Sequence, residues 1–111
     1  MSKRKPIVYI MHPYSSDKEG NYWSSILVYN TIMDMGAIPI NPLFSHQADR
    51  VQPRPYREWM ELDLQILGTC DAAFRVQGSS RGCDEETMYC VAHEIDVFFN
   101  YDKLKEYIER F

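Results

Sequence analysis

Four short apolar runs recur along the chain, and each is followed by a stretch with helical periodicity: PIVYIM (6–11), AIPINP (37–42), DAAFRV (71–76) and IDVFFN (95–100). Runs of this length, without strict polar alternation, read as strands covered on both faces. Parallel strands need a crossover, usually a helix, so the rhythm predicts a parallel sheet with helices on both sides. The expected class is α/β, a three-layer flavodoxin- or Rossmann-like fold with four or five parallel strands. Helices are expected over about Asn21–Met35, Tyr56–Leu67, Cys83 to His93 or Glu94, and Asp102–Arg110. Gly36 stands where the first should stop, at a position suited to a left-handed residue. The proline-bearing segment PLFSHQADRVQPRP (42–55) reads as a long loop, a kind of segment that often forms a lid or binding site.

With 111 residues the chain is expected to form one domain, 1–111. No apolar run approaches the ~18 residues of a membrane span. The basic start MSKRKPIVYIM passes at once into HPYSSD without a small-residue cleavage site, as a first strand does and a signal peptide does not. Cys70, Cys83 and Cys90 are odd in number and form no CxxC pair, which suits reduced thiols and a cytoplasmic location. Cys83, Cys90 and His93 share a helix, but their spacing matches no standard zinc set, and neither metal nor cofactor is expected. A net charge of −4 argues against duplex nucleic acid, whose binding rests on neutralised phosphates; a small anion needs only a local site.

In open parallel sheets ligands bind beyond the carboxyl ends of the strands. MHPYSSD after the first strand, the 42–55 segment after the second and QGSSRG after the third meet there. On the second helix Met60, Leu62, Leu64, Ile66 and Leu67 form an apolar arc with Asp63 near its middle, while Arg57, Glu58, Glu61 and Gln65 lie opposite. A carboxyl group there must find a partner, such as Arg75 or Arg81, or hold a proton near neutrality and so be able to donate it. On the third helix Met88, Val91, Ala92 and Ile95 suggest a core face, with Glu86, Tyr89, Cys90 and His93 on another flank. Glu86, expected in the first turn, should stay ionised, either as a solvated end-of-helix acid or as a nucleophile. One carboxyl group biased towards protonation and one held charged is the pairing that glycosidic cleavage requires. Ser79, Ser80 and Gly82 can cradle a phosphate or simply cap the helix. His12 and His46 are isolated loop histidines, and the sequence carries neither a Walker nor a GxGxxG motif.

The ordered set VYIMHPYS, MGAIPINPL, WMELDLQILGTCDAAFRV and SSRGCDEE resembles the nucleoside 2-deoxyribosyltransferase superfamily, including its nucleotide N-hydrolase branch. Within it, Ser-x-Gly-x-x-x-Glu selects Glu86 over Glu85. The resemblance implies that Glu86 attacks the sugar C1′, that Asp63 protonates the departing base, that Tyr9 frames the pocket and that Asp71 closes the start of the third strand. It further implies that Ser80, where enzymes acting on free nucleosides commonly carry Asp, favours a monophosphate. His12 and Pro13 stand in place of the small residues usual in the first loop and would face the substrate with Ser79, Gly82 and Asn100. The function implied is cleavage of the N-glycosidic bond of a deoxynucleoside 5′-monophosphate or nucleoside through a glycosyl-enzyme, by hydrolysis or base exchange. The alternative is a nucleotide-binding module of the same fold without chemistry.

The first helix offers more apolar surface than one face can bury. Tyr22, Ile26, Tyr29 and Met33 make a stripe that can meet the sheet, Val28, Ile32 and Met35 lie well round the cylinder, and Trp23 with Leu27 lies on the other side. A second copy of the chain is the expected cover. Superfamily members typically form homo-oligomers that share pocket residues, so the resemblance agrees with a homodimer or higher homo-oligomer in which FFNYD (98–102) reaches a neighbouring pocket.

Overall fold

A computed structural model describes residues 4–111. The strands β1 (Ile7–Met11), β2 (Ile38–Ile40), β3 (Ala72–Arg75) and β4 (Asp96–Phe98) form one parallel sheet in the order β2-β1-β3-β4. The helices are α1 (Lys18–Asp34), α2 (His46–Val51), α3 (Tyr56–Leu67), α4 (Arg81–Ala92) and α5 (Tyr101–Arg110), with a 3₁₀ turn at Pro42–Ser45. The expected α/β class, parallel sheet and four strands are therefore present.

Alternation along β1 builds the three layers. Val8 and Ile10 point to one face, where Val28 and Ile32 of α1, Phe74 of β3 and Leu104 of α5 close a core. Tyr9 and Met11 point to the other, where they meet Leu67 of α3, Ala73 of β3, and Cys83 and Cys90 of α4. Fully burying an Ile or Leu contributes about 1.5–3 kcal/mol, so Ile32, Leu67 and Leu104 are principal anchors of their helices. Gly36 ends α1 at φ 95°, a conformation costly for side chains with a Cβ, as its place in the sequence anticipates.

Three expectations about local structure change. The first helix begins at Lys18, because Asp17 caps it by accepting from the Gly20 amide at 3.1 Å. The 42–55 segment is not loop throughout. Asn41 accepts from the Leu43 amide at 3.0 Å to start the 3₁₀ turn, and α2 follows it directly. The inward face of α1 is Ser25, Val28 and Ile32, whereas Met33 is exposed. Ser25 belongs there because its hydroxyl meets the Asn41 amide at 2.8 Å and donates to the Tyr22 carbonyl at 2.6 Å. A polar residue that completes a buried network can set the rotation of a helix that offers apolar residues all round.

Asp71 stands at the amino end of the sheet. It takes two bonds from the Arg4 guanidinium, at 2.7 and 2.8 Å, and one from the Ile7 amide at 2.8 Å, joining the starts of β1 and β3. These contacts hold its carboxyl below the usual range, the Arg4 bonds most of all. Asp71 thus joins the starts of two strands at the end of the sheet opposite the cavities described next.

Candidate active site

β1 and β3 are neighbours at the centre of the sheet, yet the helices that follow them, α1 and α4, leave towards opposite faces. The connections at their carboxyl ends diverge at this switch point and open a crevice. Two cavities occupy it. One, of about 260 Å³, is walled by Tyr14, His46, Asp49, Trp59, Met60 and Asp63 among others. The second, of about 340 Å³, is walled by Ser15, Ser16, Ser79, Ser80, Arg81 and Gly82. Tyr14, Ser15 and Tyr56 line both, so the two are compartments of one site.

Asp63 reaches the first cavity from the half-buried side of α3, beside Met60, Leu64 and Leu67. Leu62 and Ile66, expected on the same apolar arc, are exposed. Among the described residues the Asp63 Oδ1 is shielded and has no hydrogen-bond partner. The arginines weighed as partners are engaged elsewhere, Arg75 with Thr87 at 3.0 Å and Asp84 at 2.6 Å, and Arg81 with Glu85 at 3.3 Å. Burial without compensation pushes the Asp63 carboxyl up to about 7, the direction its place on the helix wheel anticipates.

Glu86 departs from expectation. The Ser80 hydroxyl accepts from the Cys83 amide at 3.1 Å, so α4 begins at Arg81 and Glu86 falls in its second turn. The inward face of α4 is Cys83, Glu86 and Cys90, while Met88 and Val91 face solvent, at 71% and 74% exposure. The carboxyl group is buried and accepts a hydrogen bond from the Tyr9 hydroxyl. Burial pushes it up to about 8; the Tyr9 bond opposes that shift, and the nearby Asp63 charge adds to it. Both carboxyl groups thus hold protons up to or beyond neutrality, instead of one being held charged by a helix end. Tyr9, wholly buried, is raised far above its ordinary value by burial and then by Glu86.

The remaining sequence candidates divide. Ser79, Ser80 and Gly82 line the second cavity, with Ser80 also serving as helix cap. Tyr9 lines neither cavity and acts on Glu86 from within the core. His12 is buried against Pro13 and α1, its ring nitrogens 2.7 Å from the Pro13 carbonyl and 3.1 Å from the Ser24 hydroxyl. Pro13 packs so closely on Gly78, at φ 140°, that a Cβ there would lie 2.8 Å from its ring. Neither His12 nor Pro13 lines either of these two cavities, and the Glu86 carboxyl, turned towards Tyr9, likewise lies outside both linings. Asn100 caps α5 beyond the edge strand β4, accepting from the Lys103 amide at 2.9 Å, and is likewise outside both cavities.

Sequence reasoning missed much of the first cavity wall. Tyr14 carries no signal of its own within MHPYSSD, and His46 reads as an isolated histidine. Asp49 accepts from the Trp59 indole at 2.7 Å and from the Arg54 amide at 3.1 Å, which ties the 42–55 segment to α3 and forms that wall. The available signal was the helical spacing inside SHQADRV, next to a strand end where a site was expected.

Residues 6–100 match the family described as a domain of unknown function, DUF7768. The chain belongs to the DUF7768 family. No curated protein matches the sequence. Among solved structures, a 2-desoxiribosyltransferase from Leishmania mexicana superposes on 83% of this chain with a TM-score of 0.61 at 15% identity. The DUF7768 chain spans 61% of that structure's length, and the likeness is one of fold. This family member thus has the nucleoside deoxyribosyltransferase-like fold, and among its described residues no helix is long and apolar enough to cross a membrane.

Proposed function

We propose that this DUF7768 protein cleaves the N-glycosidic bond of a nucleotide, most simply a deoxynucleoside 5′-monophosphate, with Glu86 as nucleophile and Asp63 as acid. The observation that carries the reading is the unpartnered, shielded Asp63 carboxyl in the cavity wall, close enough to Glu86 for its charge to add to the upward shift of the Glu86 carboxyl. Two carboxyl groups that share one proton meet the needs of both halves of the reaction. The Glu86 carboxylate forms a bond to C1′ as the C1′–N bond breaks; the bonding pair leaves with the base, and Asp63 gives that nitrogen its proton. Water then attacks C1′ and loses a proton to the Asp63 carboxylate, releasing Glu86; a second base in place of water would give exchange. The mechanism requires the Glu86 carboxyl to turn from Tyr9 towards the cavity. The deciding experiment is incubation with a panel of nucleosides and their monophosphates, followed by chromatography for free base. Release from at least one is expected, and no release from any would overturn the reading.

The second cavity supplies the monophosphate preference. Its serines and the Arg81 end of α4 offer hydroxyl hydrogens and positive charge to a phosphate. Ser80→Asp keeps a good helix cap but places a like charge against that phosphate. Its kcat/KM for a monophosphate should fall on the order of tenfold or more relative to the matching nucleoside. An unchanged ratio would remove Ser80 from the phosphate site.

Assembly follows the same reading. Val28 and Ile32 are core residues, so acids there would unfold the chain rather than split a dimer. Trp23 and Leu27, exposed by 59% and 71%, are the outward apolar pair of α1. A homodimer through this surface, with the segment around Asn100 reaching the partner's site, accounts for both features. Trp23→Glu combined with Leu27→Glu should give folded monomers, and light scattering that finds the unaltered protein monomeric at micromolar concentration would exclude this assembly.

A further inference from the structure

His46, the isolated histidine of the sequence, is buried between the loop after β1 and the start of α1. Its Nε2 lies 3.0 Å from the Glu19 carboxylate, its Nδ1 lies 2.5 Å from the Tyr14 hydroxyl, and its ring stacks on Tyr22 with centroids 4.7 Å apart. The catalytic scheme uses none of these groups. A carboxylate only accepts hydrogen bonds, so the Nε2 must carry the hydrogen directed at Glu19. In the neutral ring the Nδ1 is then an acceptor, and among the described residues the hydrogen directed at it is that of the Tyr14 phenol. With that hydrogen committed, Tyr14 can present only lone pairs to a ligand.

Tyr14 lines both cavities. We infer that the Glu19–His46 pair fixes Tyr14 as a hydrogen-bond acceptor at the junction of the two compartments, where it selects substrates carrying a hydroxyl hydrogen on the sugar. The choice of sugar rests on the glycosidase reading. With the base beside Asp63 and the phosphate among Ser79 and Ser80, the sugar bridges the two cavities next to Tyr14. In a 2′-deoxynucleoside 5′-monophosphate the one free sugar hydroxyl is at the 3′ position. Tyr14 is the group that meets it, and His46 and Glu19 are positioning residues that act through Tyr14.

Two measurements test the inference. Nitrogen-15 spectra of the histidine-labelled protein without ligand should show His46 at neutral pH as the Nε2–H tautomer with a hydrogen-bonded Nδ1, and Tyr14→Phe should move the Nδ1 signal. An Nδ1–H tautomer or a doubly protonated ring would overturn the relay. Calorimetric binding of 2′-deoxyadenosine 5′-monophosphate and its 3′-fluoro analogue is then compared in a Glu86→Gln background, which blocks turnover. The hydroxyl compound should bind about tenfold more tightly, the worth of one net hydrogen bond. Tyr14→Phe should erase the difference, and His46→Phe, which keeps the stack on Tyr22 but cannot accept, should reduce it with the phenol still present. Equal affinity for the two nucleotides in the Glu86→Gln protein overturns the selection. Failure of both to bind overturns the nucleotide reading, and the nitrogen spectrum, which needs no ligand, still upholds or overturns the relay.

Discussion

Glu86→Gln is expected to release base at least about a thousandfold more slowly than the unaltered protein, and to unfold at a higher temperature at alkaline pH. The first effect follows from losing the nucleophile, for which a carboxamide is no substitute. The second follows from burial. Folding raises the Glu86 carboxyl from an ordinary 4.5 to about 8, so the folded protein holds a proton that the unfolded chain gives up. Stability tied to this group is fully present below about 4.5 and is lost as pH rises through about 8. Glutamine stays neutral throughout and still accepts from the Tyr9 hydroxyl, so the gain should be a few degrees above about pH 8 and vanish below about 4.5. Calorimetric melting across that range, beside a base-release assay, reads both. Nucleotide binding by the unaltered protein, with no release and with affinity preserved in Glu86→Gln, would identify a binding module instead of an enzyme. An active Glu86→Gln beside an inactive Glu85→Ala would move the nucleophile one residue earlier.

Asp63→Asn is expected to slow release of poor leaving groups by about a hundredfold or more, and to leave an activated nitrophenyl-type leaving group nearly untouched. Equal losses on both would assign Asp63 to binding or structure. The pH profile makes the pairing testable. One proton must reside on the pair, and burial pushes Asp63 up to about 7 and Glu86 up to about 8, so kcat/KM for the unaltered protein should follow a narrow bell with its maximum between them. The two limbs belong to the coupled pair and not to either residue alone. Asparagine cannot lose the second proton, so the alkaline limb should disappear. The acidic limb should move to lower pH, because the Asp63 charge no longer disfavours ionisation of Glu86.

The same trade is visible across the site. Asp63 and Glu86 both keep carboxyl groups in shielded places where an amide would be cheaper to bury. Glu85, by contrast, satisfies itself with Arg57, Arg81 and the Tyr56 hydroxyl at the mouth of the second cavity. Asp63, costly to keep and unpartnered, and Glu86, costly to keep with only the Tyr9 bond, are where chemistry is expected.

What the sequence determined by itself was local. Strand runs with helical stretches between them specify a parallel α/β sheet, Gly36 ends α1, and Tyr56–Leu67 has the bounds its pattern predicts, because each rests on contacts within a few residues. Asp63 was legible for the same reason, as a carboxyl group breaking a local apolar pattern, and Ser79, Ser80 and Gly82 were legible as a turn before a helix. Tertiary structure alone decided the rotation of α1 and α4, since a helix with apolar residues on several faces takes its phase from what it packs against. Ser25 answers to Asn41, and Cys83 and Cys90 answer to Met11 and Ala73. The burial of Glu86 came with that rotation, and its partner Tyr9 lies 77 residues away in the chain. His46 and Tyr14, 32 residues apart, carry no shared local signal, and only the meeting of the carboxyl ends of β1 and β2 joins an isolated histidine to a phenol on the cavity wall.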